Sequence, residues 1–250
     1  MPGGVLPIAH RGASGVAPEN TKIAFVKALD LGARAIEFDV QLTRDSVPIV
    51  FHDDTLERTT DGTGRIADTD FSVIAKLDAG SWFGPRFARA EVPTLEEVLS
   101  AIGPRAMLNV ELKPDERVEK LVKHVITAVA RFNLFESVVF SSFDPAAIRL
   151  MKKHVPEARL GILCVQDGVD EAFALADDVV AVSLNPARTI VTPELIGVAH
   201  ERHLEVWAWT ANTPQEIERL IAAGVDAIFS DFPDRVRSIA ARAETPAGGA

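Results

Sequence analysis

Two histidines, three carboxylates and two cations stand in this chain where a buried strand would otherwise stay apolar or end. His10 and Arg11 fall in IAHRG, Glu37 and Asp39 in AIEFDV, His52 in VFHDD, and Glu111 and Lys113 in LNVELK. Side chains alternate faces along a strand, so Glu37 and Asp39 share one side, as do Asn109, Glu111 and Lys113. Three carboxylates converging in a low-dielectric pocket repel one another. Either their pKa values rise or a cation sits among them. An all-oxygen set without cysteine suits a hard divalent ion, Mg2+ or Ca2+. His10 and His52 are candidate proton shuttles near neutral pH. Arg11 and Lys113 are candidate grips for an anionic oxygen. Together these residue types describe metal-assisted cleavage of a phosphodiester.

Such groups come from distant stretches, so the scaffold has to gather them. A short β-branched run, a loop and an amphipathic stretch recur along the chain. The runs cover 5–9, 33–40, 106–112, 137–141, 159–163, 178–184, 204–210 and 226–230. Helical stretches follow near 19–31, 94–102, 115–132, 144–154, 168–176, 192–203, 214–223 and 233–242. Asp144-Pro145, Thr192-Pro193 and Thr213-Pro214 each set a capping side chain before a proline at the first helical position. Repeated β-then-α units predict an α/β fold, a (β/α)8 TIM barrel of the usual ~250-residue size. An open doubly wound sheet would want a glycine-rich turn after the first strand, and HRGAS is not one. His10, Arg11, Ser141, Ser142, Trp209, Thr210, Ser230 and Asp231 all fall at the carboxyl ends of candidate strands. That end is where barrel enzymes place their chemistry.

One gap is irregular. After the second candidate strand, turn residues 44–46 separate two β-rich runs, which reads as a β-hairpin with 47–52 returning antiparallel. A turn centred on Asp45 and Ser46 sets His52 opposite Asp39. Residues 53–92 then form a small insertion rich in turns and in aromatics such as Phe71, Trp82 and Phe83, expected to act as a lid. Residues 244–250 read as a flexible tail, and 1–250 otherwise as a single domain.

Composition limits the partners. With 36 acidic residues against 26 Lys and Arg, the net charge is −10, which disfavours nucleic acid. The lone cysteine, Cys164, excludes a disulfide framework and suits a reducing compartment. No stretch is long and apolar enough for a membrane span, and the first residues do not read as a secretory signal. A cytoplasmic protein, monomer or homodimer, is expected.

The motifs HRGASGVAPENTKIAF, EFDVQLTRDSVPIVFHDDTLERTT, NVELK, SSFDP, WAWTAN and GVDAIFSDFPD, in that order, resemble the glycerophosphodiester phosphodiesterase family of the bacterial, cytoplasmic type. The resemblance runs from about residue 8 to 235. It implies a barrel hydrolase, dependent on one divalent cation, that releases an alcohol and sn-glycerol 3-phosphate from small glycerophosphodiesters. It implies acid/base roles for His10 and His52, and metal ligation by Glu37, Asp39 and Glu111. It further implies phosphate contacts from Arg11 and Lys113, and supporting or glycerol-side roles for Glu19, Asn20, Phe143 and Trp209. WTAN carries Ala211 and SDFP carries Ser230 where the family commonly has Val and Thr. An alternative within the same class is lysophospholipase D-like cleavage of acyl-bearing glycerophospholipids. A barrel lyase using Lys113 as a Schiff-base amine is disfavoured, because neighbouring acids keep that amine protonated.

Overall fold

The computed structural model describes residues 4–113 and 116–244. Of the tail expected at 244–250, Glu244 ends the last helix and 245–250 lie outside the described residues. Parallel strands β1 (Leu6–Ala9), β2 (Ala35–Leu42), β4 (Met107–Leu112), β5 (Val138–Ser142), β6 (Arg159–Cys164), β7 (Ser183–Pro186), β8 (Glu205–Ala208) and β9 (Ala227–Ser230) pair in sequence. The barrel closes through β1, which pairs with β9 on one side and β2 on the other. This is the (β/α)8 barrel expected from the repeats. Outer helices α1 (Lys22–Asp30), α3 (Leu95–Ile102), α4 (Val118–Arg131), α5 (Pro145–His154), α6 (Val169–Val179), α7 (Pro193–Glu201), α8 (Pro214–Ala223) and α9 (Pro233–Glu244) form the shell. A short α2 (Phe71–Ile74) lies in the insertion. Among the described residues no helix is long and apolar enough to cross a membrane.

Local signals account for the helix starts. Asp144, Thr192 and Thr213 each cap with their side chains ahead of a proline, and Thr94 and Thr213 complete capping boxes with Glu97 and Glu216. Two boundaries differ from expectation. Helix α6 runs to Val179, so β7 begins at Ser183 rather than 178. Asp177 and Asp178 lie in α6, while the β-branched run that follows them had suggested strand. The first helix starts at Lys22 with Thr21 as its cap, leaving Asn20 outside it.

Strand alternation sorts the side chains. Outward residues such as Phe38, Val110 and Phe140 pack under the helices, while Ile8, Ala35, Val139, Trp207 and Phe229 fill the barrel interior. Phe38 is fully buried with its ring 5.6 Å from that of Phe25. Phe38→Ala should destabilise the protein by about 3–5 kcal/mol, read from urea unfolding. An effect below about 1 kcal/mol would contradict this packing.

The hairpin is present, with a shifted register. β3 (Pro48–Val50) pairs antiparallel with β2 through Val40 and Val50, Gln41 and Ile49, Leu42 and Pro48. Asp39 thus faces Phe51, whose amide donates to the Asp39 carbonyl at 3.0 Å, and His52 stands one residue further on. The cause is the turn. Residues 44–46 form a three-residue loop with Ser46 at φ 66°, closed by the Thr43 amide on the Val47 carbonyl. The insertion beyond builds its own apolar cluster from Phe51, Leu56, Ile66, Ile74, Ala79 and Val92.

Candidate active site

The carboxyl ends of the strands bring most of the expected residues to one cavity of about 70 Å3, with Glu19, Asn20 and Asp39 outside its lining. His10, Arg11, Glu37, His52, Asn109, Glu111, Lys113, Phe143 and Trp209 all line it. In register, Glu37 pairs with Asn109 and Asp39 with Glu111 across β2 and β4, which puts the three acids side by side.

One oxygen each of Glu37, Asp39 and Glu111 lies within 4.8 Å of the others. Glu37 and Asp39 are 3% and 1% exposed, so this charge is almost fully withdrawn from water. Burial, then the charges of Asp39 and Glu111, push the Glu37 carboxyl well above its ordinary range. Burial and Asp39 push Glu111 up to about 7. Asp39 moves the other way, because Arg11, His52 and Lys113 together outweigh its burial. Arg11 donates its backbone N–H to Glu37 Oε2 at 2.8 Å, and Lys113 donates to Glu111 Oε1 at 3.0 Å. These cations do not relieve the cluster, since Glu37 and Glu111 stay displaced toward protonation. Asp39 Oδ1 is buried without a hydrogen bond; Lys113 Nζ stands 3.5 Å away. An all-oxygen, repelling trio with Asp39 Oδ1 left without a hydrogen bond fits a hard divalent cation.

Each histidine is held by a carboxylate at Nδ1. His10 donates to Asp231 Oδ1 at 2.7 Å across the β1–β9 seam. Asp231 also accepts from Ser14 Oγ at 2.9 Å and from Asn212 Nδ2 at 2.6 Å. Burial would raise the Asp231 carboxyl, but these partners, His10 foremost, hold it below its ordinary value. His52 donates to Asp53 Oδ1 at 2.6 Å. A carboxylate can only accept, so Nδ1 carries the proton in both rings and Nε2 stays available for chemistry. Burial lowers the His52 pKa, which favours a neutral imidazole.

A chain of charges ties the insertion to the barrel. Arg58 grips Asp53 through Nε and Nη2 at 2.5 and 2.8 Å, and Glu19 through Nη1 and Nη2 at 2.7 and 2.8 Å. Glu19 in turn accepts from Arg11 Nη1 at 2.7 Å. Arg11 and Asn20 both adopt left-handed backbone, φ 52° and 56°, which turns Asn20 Nδ2 onto Asp39 Oδ2 at 2.8 Å. Gly12 permits that close turn, since a Cβ there would lie 2.7 Å from the Ala24 backbone. On the apolar side Phe143 meets Trp209 edge to face at 5.5 Å, and Trp209 Nε1 donates to the Asn185 carbonyl at 2.8 Å.

Sequence reasoning therefore located the residues that meet at the cavity, with Asn20 as a support for Asp39. It passed over Asp53, Arg58, Asn212 and the pairing of Asp231 with His10. Asp53 had a signal, being a carboxylate directly after His52. The roles of Asn212 and Asp231, and the reach of Arg58 to Glu19, depend on contacts between separate segments.

A TIM barrel with acids, imidazoles and cations gathered at the carboxyl ends of its strands defines the class: a barrel hydrolase. Residues 10–235 match the model of the glycerophosphoryl diester phosphodiesterase family. A glycerophosphodiester phosphodiesterase of Caldanaerobacter subterraneus is 41% identical, over 92% of this chain and 95% of the relative. An Oleispira antarctica phosphodiesterase, solved in complex with the product sn-glycerol-3-phosphate, is 32% identical with a TM-score of 0.89, covering 94% of this chain and 96% of that one. The glycerophosphodiester phosphodiesterase structure from Agrobacterium tumefaciens is 30% identical with a TM-score of 0.81, over 94% and 99% of the two chains. The chain belongs to the glycerophosphoryl diester phosphodiesterase family and is an enzyme of that class.

Proposed function

We propose that the cavity hydrolyses small glycerophosphodiesters to an alcohol and sn-glycerol 3-phosphate, with His10 and His52 as the acid/base pair. The observation that carries this reading is the meeting of both imidazoles, two cations, Glu37 and Glu111 in one cavity, with Asp39 clustered against those two acids. Arg11 and Lys113 stabilise the negative charge that attack adds to the phosphate oxygens. One imidazole takes the proton of the attacking hydroxyl at Nε2. The other gives its proton to the departing alkoxide, each step worth roughly 10²–10⁴ in rate. Glu37, Asp39 and Glu111 would hold one divalent cation, Mg2+ or Ca2+, which supplies Lewis-acid stabilisation of phosphate charge. Asn20 orients Asp39, Glu19 orients Arg11, and Phe143 with Trp209 forms an apolar wall for the glycerol carbons. The 53–92 insertion would act as a lid anchored beside the site, since Asp53 holds His52 and Arg58 ties Asp53 to Glu19.

A panel of glycerophosphocholine, -ethanolamine, -glycerol and -inositol, with either ion, tests the reading through released glycerol 3-phosphate. Turnover of at least one ester is expected; none with any ion contradicts it. The carboxylate on His10 gives a second test. Asp231→Asn frees His10 to take the wrong tautomer, and kcat should drop by about 10² or more with KM little changed. Unchanged kcat would remove the orienting role.

A further inference from the structure

Arg58 stands outside the lining of the catalytic cavity, yet two groups that line it, His52 and Arg11, are held through its guanidinium. Asp53 accepts from His52 Nδ1 on Oδ1 at 2.6 Å, and Glu19 accepts from Arg11 Nη1 on Oε1 at 2.7 Å. Arg58 Nη2 donates to those same two oxygens, at 2.8 Å each. The outer oxygens are fixed as well, Asp53 Oδ2 by Nε at 2.5 Å and Glu19 Oε2 by Nη1 at 2.7 Å. One planar fork thus sets the rotation of both carboxylates, and each carboxylate turns one oxygen to a group of the cavity. Four of the five guanidinium N–H groups are spent on these bonds, so Arg58 is not placed to grip phosphate itself.

Among the described residues, His52, Arg11 and Arg58 supply every side-chain hydrogen bond to the two carboxylates. Without Arg58, two anions now drawn to one nitrogen would repel, and the Asp53 side chain, 24% exposed, would turn toward water. The insertion fixes the backbone around Arg58. Leu56 belongs to its apolar cluster, the Leu56 amide donates to the Gly64 carbonyl at 3.0 Å, and the Thr60 amide donates to the Leu56 carbonyl at 3.1 Å. We propose that Arg58 is a positioning residue through which the folded insertion sets both the His52 imidazole and the Arg11 guanidinium. It acts on proton transfer through Asp53 and on phosphate binding through Glu19. The inference rests on the roles given to His52 and Arg11 above.

Steady-state kinetics of Arg58→Ala and Arg58→Lys, on an ester that the wild type turns over, test both arms. Arg58→Ala should lower kcat at least about tenfold and raise KM at least about threefold, since small displacements of reacting groups cost up to about 10² in rate. Arg58→Lys keeps the charge but offers one ammonium in place of the fork, so it should recover little of that loss. Guanidinium ion, far below its unfolding concentration, should raise kcat of Arg58→Ala at least about fivefold by refilling the fork's place. Methylammonium should not, and the wild type should gain nothing. In a double-mutant cycle, Arg58→Ala on top of His52→Ala should cost no further kcat, because the arginine acts through that ring. Single losses that multiply instead overturn the route through Asp53, and an unchanged KM in Arg58→Ala overturns the route through Glu19. Equal stimulation of wild type and variant by guanidinium also overturns the proposal. The Arg58 side chain is 46% exposed, so its loss opens no core cavity. If Arg58→Ala nonetheless fails to fold, Arg58→Lys decides, and wild-type kcat and KM there overturn the proposal. Full activity in both variants overturns this inference alone, while a wild type that hydrolyses no glycerophosphodiester overturns it together with the parent reading.

Discussion

Replacing His10 or His52 with Ala should lower kcat by about 10²–10⁴ while the protein stays folded. Both rings sit at the edge of the cavity and pack no core, so unfolding free energy should shift little. The wild-type rate should follow a bell in pH, because one imidazole is needed neutral and the other protonated. The acidic limb reports the ring that must lose its proton, and burial of His52 draws its titration toward lower pH. Each Ala variant should therefore lose one limb and keep the other. Wild-type turnover in both variants would end the acid/base assignment, and a profile that keeps both limbs in each would separate the histidines from the proton transfers.

Chelation, or removal of one carboxylate by Glu37→Gln or Glu111→Gln, should lower activity by at least about 10²–10³, the usual cost of losing a group that stabilises transition-state charge. The sign of the stability change is opposite for the apo-protein. Glu37 and Glu111 are pushed up by burial and by neighbouring charge, so folding disfavours their ionised forms. Groups with raised folded-state pKa add stability below their unfolded pKa and lose it as pH rises through the folded value. For Glu111 that loss runs from its ordinary 4.5 to about 7. Neutralising either acid should therefore leave the metal-free protein equally or more stable near neutral pH, while activity collapses. A variant that is both unstable and inactive would point to a structural role instead. Mg2+ or Ca2+ should restore the chelated wild type and leave the Gln variants low.

How much of this was legible in advance depends on the range of each contact. Strand alternation put Glu37 with Asp39 and Asn109 with Glu111 on common faces, and neighbouring pairing of β2 and β4 then brought the acids together. The caps set before a proline located three helix starts within a residue or so. Turn geometry was less legible. Pairing set by the 44–46 loop moved His52 one position from the partner expected of it, because Ser46 adopts a left-handed conformation that residue type alone does not demand. The links from Asp231 to His10 and from Arg58 to Glu19 depend on barrel closure and on how the insertion folds back. Those are long-range facts, and no local pattern encodes them. Asn20 illustrates the middle case: the resemblance implied only a supporting role, and its left-handed backbone turns the amide to Asp39.

Calorimetric titration of the chelated protein with Ca2+ or Mg2+ probes the acid trio without any substrate. One ion per chain should bind the wild type, and Glu37→Gln together with Glu111→Gln should remove that binding while the chain remains folded. Equal stoichiometry and affinity in the doubly substituted protein, or no uptake by the wild type, would contradict a cation centre at the carboxyl ends of β2 and β4.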